Sequence, residues 1–234
     1  SLYLCLQGEA IWQWHEMLIL NCDNLSRFML LPLGFFGFIL SFYAIGTIKT
    51  GQSLFYGAYL LTLGASAGVI LANHLVLFLI FWGVLAITLY LLILTGNSKA
   101  PKAAQKSLIL IGGSDALMLL GIALLFHLSR SYLMSEIYLT LSNPWVYVAF
   151  FAILTAIMTK IGAMPFHTWI PEMATAAPSV VTAFLPAALD KLLGIYLLVR
   201  LSLDVFSFDY TIQLVLMITG SVTIIAGVMM ALIQ

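Results

Sequence analysis

Seven stretches of about 20 mostly apolar residues follow one another along the chain, the length an α-helix needs to cross a hydrocarbon core roughly 30 Å thick. Their approximate limits are 26–47, 52–71, 75–95, 106–127, 145–164, 179–200 and 211–232. Lipid offers the backbone no hydrogen-bond partner, so a spanning chain is limited to helices or closed barrels, and runs this long select helices. The expected fold is therefore all-α, a polytopic transmembrane bundle over residues 26–234, preceded by an interfacial segment over 1–25. Within that segment Ile11–Asn21 is too short and too polar to span, and Trp12 and Trp14 suit the headgroup level. Asp23 and Ser26 have the chemistry of an N-terminal cap for the first helix. Composition closes the soluble alternative: 63% of the residues are hydrophobic, and nine basic plus nine acidic side chains cannot coat a domain of 234 residues.

The charges sum to zero with no basic run, which excludes a nucleic-acid surface. Cys5 and Cys22 are far apart, so the two thiols assemble neither a zinc site nor an iron–sulfur cluster within the chain. No nucleophile elbow, metal-ligand cluster or phosphate loop is present, so no catalytic, metal or cofactor residue is assigned. The chain begins at Ser1 without a visible signal peptide and reads as a processed product or a fragment. Lys99, Lys102 and Lys106 form the densest basic group in a short loop, which places that loop in the cytoplasm. Counting through the connections puts Lys49 on the same side, and Arg130, Glu136, Arg200, Asp204 and Asp209 on the other.

Lys160, Lys191, Asp190 and Asp115 fall inside expected spans, where an ionisable side chain costs about 2.5–3.5 kcal/mol on insertion scales. Pro171 and Pro178 bracket the expected turn between the fifth and sixth helices. Lys160 lies about 11 residues before it and Lys191 about 13 after it, so both reach roughly 16–20 Å into the membrane. Desolvation and a like-charged neighbour both favour the neutral amine, which brings a lysine toward the range where it accepts and releases a proton. The competing reading is a static ion pair or a side chain that reaches back to the interface.

Gly162, Pro165 and Pro171 follow Lys160 closely, so the helix is expected to break beside the lysine and admit water. His167 is seven residues on and shares the Lys160 face if helix continues through the break; it is then a further proton station, or else an interfacial histidine bonded to backbone. Asp115 lies about nine residues beyond Lys106 at similar depth, and it serves either as counter-charge to a lysine or as a protonated packing group. Gly112 and Gly113 beside it would let a neighbouring helix approach closely. His74 and His127 are read as interface residues.

From about residue 22 onward the chain resembles the antiporter-like, proton-conducting transporter family of respiratory complex I, Mrp-type sodium/proton antiporters and membrane-bound hydrogenases. The run Lys160-Ile161-Gly162-Ala163-Met164-Pro165-Phe166-His167-Thr168-Trp169-Ile170-Pro171-Glu172 is similar to that family's broken-helix signature. Phe184-Leu185-Pro186-Ala187-Ala188-Leu189-Asp190-Lys191-Leu192-Leu193-Gly194-Ile195-Tyr196 looks closest to the hydrogenase-linked branch. Asp23-Asn24-Leu25-Ser26, and Asn73-His74 leading to Phe81-Trp82, add weaker support.

The resemblance implies that Lys160 is the central lysine of the broken helix and Lys191 a connecting lysine. It implies a location in a prokaryotic cytoplasmic membrane and partner membrane subunits, including antiporter-like paralogues, with redox cofactors carried by partners. Two departures stand out. The family places a glutamate after the aromatic pair, whereas Gly83 follows Trp82 here, so Asp115 is the candidate source of that charge. Family members also have about fourteen helices and a further ionisable residue in the later half, and this sequence stops at Gln234 after the seventh visible span. The expected function is proton translocation within a redox-driven membrane complex. The alternatives are sodium/proton antiport in an Mrp-like assembly and a channel-inactive scaffold.

Overall fold

A computed structural model of the chain describes residues 11–14, 17–141 and 143–233. Among these, seven helical spans are long and apolar enough to cross a membrane, and the protein is an integral membrane helix bundle. Cys5 lies outside the described residues. Of the N-terminal segment's described residues, β1 (Ile11–Trp14) and β2 (Met17–Asn21) pair antiparallel, and residues 1–10, 15 and 16 lie outside the described residues.

Helix α1 (Asn24–Thr47) starts where the Asp23 carboxylate accepts the Ser26 amide at 2.8 Å. It carries Pro32 internally, which a membrane helix tolerates. Then come α2 (Gln52–Leu71), α3 (Leu75–Leu94) and α4 (Ala100–Ser129). Helix α4 is one to two turns longer at its start than the apolar run suggests, because Pro101 fits the first helical turn, where its missing N–H costs nothing. Helix α5 (Pro144–Ile161) packs along α4 and is capped by Asn143, whose side-chain oxygen accepts the Trp145 amide at 3.0 Å.

The break after Lys160 is sharper than the expected span to residue 164. Helix α5 ends at Ile161 because Gly162 takes φ +74°, the left-handed conformation that glycine reaches without strain. Residues 162–168 are non-helical, so His167 does not share a continued helical face with Lys160. The expected turn contains a further short helix, α6 (Trp169–Ala176), with Pro171 inside it and Pro178 just before the next helix.

The sixth span, Ser179–Val205, is interrupted rather than regular. It comprises α7 (Ser179–Phe184), a π-turn (Leu185–Leu189), α8 (Asp190–Arg200) and a second π-turn (Leu201–Val205). Pro186 has no N–H to continue an α-ladder, and the turn widens so that the Asp190 amide reaches back five residues to the Leu185 carbonyl. Short strands β3 (Leu139–Thr140) and β4 (Phe206–Ser207) pair in parallel beyond the second π-turn. Helix α9 (Tyr210–Ile233) closes the described chain; apart from its first turn it is largely uncovered, and Thr223 Oγ1 accepts the Met164 amide at 3.2 Å.

The two ends of the bundle differ. At one end lie Lys49, Lys99, Lys102, Lys106 and α6, and the Asn97 amide there donates to the Ala176 carbonyl. At the other lie β2, the α2–α3 junction, the loop after α4 and the end of α8, with the Asn73 amide on the Ile19 carbonyl. The core between them is built from large side chains such as Tyr59, Phe78, Trp82, Trp169, Phe184 and Tyr196.

Candidate functional site

Asp115 stands near the midpoint of α4, Trp82 in the first half of α3, and Asp190 at the start of α8, about 15 Å from Arg200. Lys160 meets this set from the last turn of α5, so the centre of the bundle carries one amine and two carboxylates. The lysine side chain is 1% exposed and its Nζ has no hydrogen-bond partner among the described residues. Asp190 Oδ1 lies 3.9 Å away, an ion pair longer than a hydrogen bond, and Asp190 Oδ2 is also unpartnered and buried. The ammonium rests over the Trp82 ring, 4.8 Å from its centroid, and Trp82 Nε1 donates to Asp115 Oδ1 at 2.8 Å. The indole thus touches both the amine and the Asp115 carboxyl.

This geometry brings together three of the five expected residues, Lys160, Asp190 and Asp115. Asp115 is within electrostatic reach of Lys160, on the site-facing side of α4, as a counter-charge requires. Lys191 follows Asp190 within electrostatic reach of that carboxylate, but unlike Lys160 its side chain is exposed on this chain. His167 lies in the non-helical segment toward the basic end, half-buried, with Nδ1 unpartnered. Gly83 leaves open space where a Cβ would be, so no side chain fills the place of the family's glutamate. Gly112 and Gly113 likewise meet nothing within 4 Å, so among the described residues they serve no close helix approach.

Two contacts fix the lysine's position. Gly194 on α8 lets α5 come so close that an added Cβ would sit 2.4 Å from Ile161 Cγ1, one turn from Asp190. Trp169 on α6, fully buried, donates Nε1 to the Thr159 carbonyl at 2.9 Å and ties the short helix to the lysine's own turn. Trp82 as a bridge and Trp169 as a strut were missed as such; the aromatic next to a glycine was the available signal for the first.

A second polar cluster lies at the end of α8. Arg200, expected at the outer end of the sixth span, makes five donor contacts: two to Asp23 at 2.6 and 2.7 Å, and one each to Asp204, Ser26 and Tyr196. Tyr196 in turn donates to the Ile70 carbonyl at 2.6 Å, so one guanidinium joins α1, α2 and α8. Burial pushes the Asp23 carboxyl up, but its bonds from Arg200 and the Ser26 amide outweigh that and hold it below the usual carboxylate value. His74 caps α3 through Nδ1 on the Val76 amide at 3.3 Å and stacks on Tyr132, and burial lowers its pKa. At the basic end Lys106 is ion-paired with Glu172.

Residues 72–234 match the family described as NADH:quinone oxidoreductase/Mrp antiporter, TM. The chain belongs to this family. Among curated members it is 35% identical over 136 residues to NADH-quinone oxidoreductase subunit N of Heliobacterium modesticaldum, covering 57% of this chain and 29% of that one. It is 29% identical over 191 residues to Na(+)/H(+) antiporter subunit A1 of Staphylococcus aureus, covering 78% of this chain and 24% of the relative. The chain thus spans less than a third of these antiporter-like relatives. Among solved structures, a chain of the Mrp complex from Dietzia sp. superposes with TM-score 0.75 at 25% identity, over 87% of this chain and 24% of that chain. A chain of respiratory complex I from Thermus thermophilus gives TM-score 0.72 at 22% identity over 86% and 44%, a likeness of fold. The archaeal membrane-bound sulfane sulfur reductase gives 0.71 at 21% over 80% and 40%, again a likeness of fold.

Proposed function

We propose that this protein is a proton-translocating, antiporter-like subunit of a redox-driven complex in a prokaryotic cytoplasmic membrane, working beside antiporter-like paralogues and subunits that hold the redox cofactors. The observation that carries the reading is the Lys160 amine: buried, without a hydrogen-bond partner and shared between two carboxylates at mid-bundle. A group held this loosely in a dry site changes protonation when the charges around it change. Asp190 lies within electrostatic reach of both lysines. When the field strengthens its hold on Lys160, the amine keeps its proton; when Asp190 turns to Lys191, Lys160 releases one to a water-linked path. Lys191 passes charge onward at the exposed face, and the unpartnered Nδ1 of His167 suits the side of the path toward the basic end. Asp115, held by Trp82, supplies part of the negative charge absent at Gly83.

A second reading, sodium/proton antiport in an Mrp-like assembly, draws support from the similarity to Na(+)/H(+) antiporter subunit A1. Its carboxylate supply is thin, since Glu172 is engaged by Lys106 and Asp190 by Lys160. Proton movement in vesicles containing the assembled complex separates these readings. Lys160→Ala and Lys191→Ala are each expected to cut coupled pumping by at least about tenfold while assembly is retained. Wild-type pumping by both variants would establish the scaffold reading, and sodium-dependent pumping the antiport reading.

A further inference from the structure

We propose that the furrow between α4 and the broken end of α5 binds one anionic phospholipid, its phosphate at the rim formed by Lys102 and Lys106 and one acyl chain laid along α4. Two cavities make up the furrow. The outer, about 390 Å³, is walled by Lys102, Gln105, Lys106 and Thr168. The inner, about 230 Å³, is walled by Gly113, Leu117, Thr155 and Phe166. Both are walled by Ile109 and Leu110, so they adjoin along α4.

The dimensions fit a lipid in place. From Lys106 to Leu117 the helix rises roughly 16 Å, close to the hydrocarbon depth of a single leaflet, about 15 Å. Ammonium, amide and hydroxyl donors therefore sit where headgroups lie, and apolar walls where tails lie. Charge favours an anionic head. Lys106 is paired with Glu172, whereas Lys99 and Lys102 form no ion pair among the described residues, which leaves the rim net positive.

The floor is dry. Ser114, Thr155 and Thr159 spend their hydroxyl protons on carbonyls of their own helices at 2.7–2.8 Å and offer a partner no free donor. None of the described residues covers the furrow: Ile109 is 72% exposed, and a Cβ on Gly113 would meet no described atom within 4 Å. Thr159 precedes Lys160, so a seated tail lies against the turn that carries the buried amine.

Native mass spectrometry of the purified protein, titrated with phosphatidylglycerol and phosphatidylcholine of equal chain length, tests this. Phosphatidylglycerol is expected to bind at least about tenfold more tightly, with Lys102→Gln removing most of that preference. Gly113→Leu, whose Cβ meets no described atom within 4 Å and whose side chain would enter the furrow, is expected to displace one tightly held lipid. Equal binding of the two lipids, full retention by Gly113→Leu, or displacement by inorganic phosphate overturns the proposal. So does a photoreactive group at Ile109 that labels a protein chain and no lipid.

Discussion

Lys160 is costly in a membrane bundle, and its surroundings compensate only in part. An indole face and a carboxylate at 3.9 Å offset some of the loss of water, yet the amine makes no hydrogen bond among the described residues. A purely structural lysine would be expected to close that gap. Trp82→Phe keeps a ring beneath the amine and removes the Nε1 donor, so Asp115 loses its only side-chain bond among those described. The expected cost is about 1.5–3 kcal/mol, the value of a hydrogen bond to a charged group, read as a lower melting temperature together with slower proton transport. The sequence marks Lys160, Asp190 and Asp115 because ionisable groups are rare inside apolar runs. It does not mark the Trp82 bridge, since that depends on how α3 and α4 are rotated about their axes, and nothing local in either helix encodes the rotation.

Among elements, the broken α5 and the interrupted sixth span bring the charges together. Gly162 ends α5 at a positive φ, and Gly162→Ala is expected to cost about 1–2 kcal/mol in stability because the left-handed conformation disfavours a Cβ. Gly194→Ala would press against Ile161, and its expected effect is a larger fall in proton transport than in thermal stability, because it moves Asp190 relative to Lys160. Comparable losses in both measurements would mean that the contact serves packing alone. The spans were legible because lipid imposes one length on every helix, and the break because glycine and proline cluster after Lys160. Helix α6 was not legible, since eight residues with Pro171 inside look like a turn; nor were the π-turns, which shift a helix by a single residue without changing its apolar pattern.

On the scale of the molecule, the two ends are stapled by different pairs. Arg200, through Asp23 and Tyr196, joins three helices at the end away from the basic loop, and Lys106 and Glu172 join α4 to α6 at the other. The Asp23 carboxyl is held below its unfolded value of 3.8, so its contribution to stability is present above that pH and is lost as the pH falls through the folded value. Thermal melts from about pH 6 down to about pH 3 are expected to show a drop that Asp23→Asn flattens. An unchanged acid limb in that variant would place the sensitivity elsewhere.

The central claim is that the Lys160 amine exchanges its proton instead of serving as a fixed positive charge, and Lys160→Arg tests it most directly. Arginine keeps the charge and a comparable reach but does not deprotonate within a protein. Coupled proton translocation should fall by at least about tenfold in the assembled Lys160→Arg complex, the same loss expected of Lys160→Ala. Translocation near the wild-type rate would contradict the account and leave Lys160 as a static partner of Asp190.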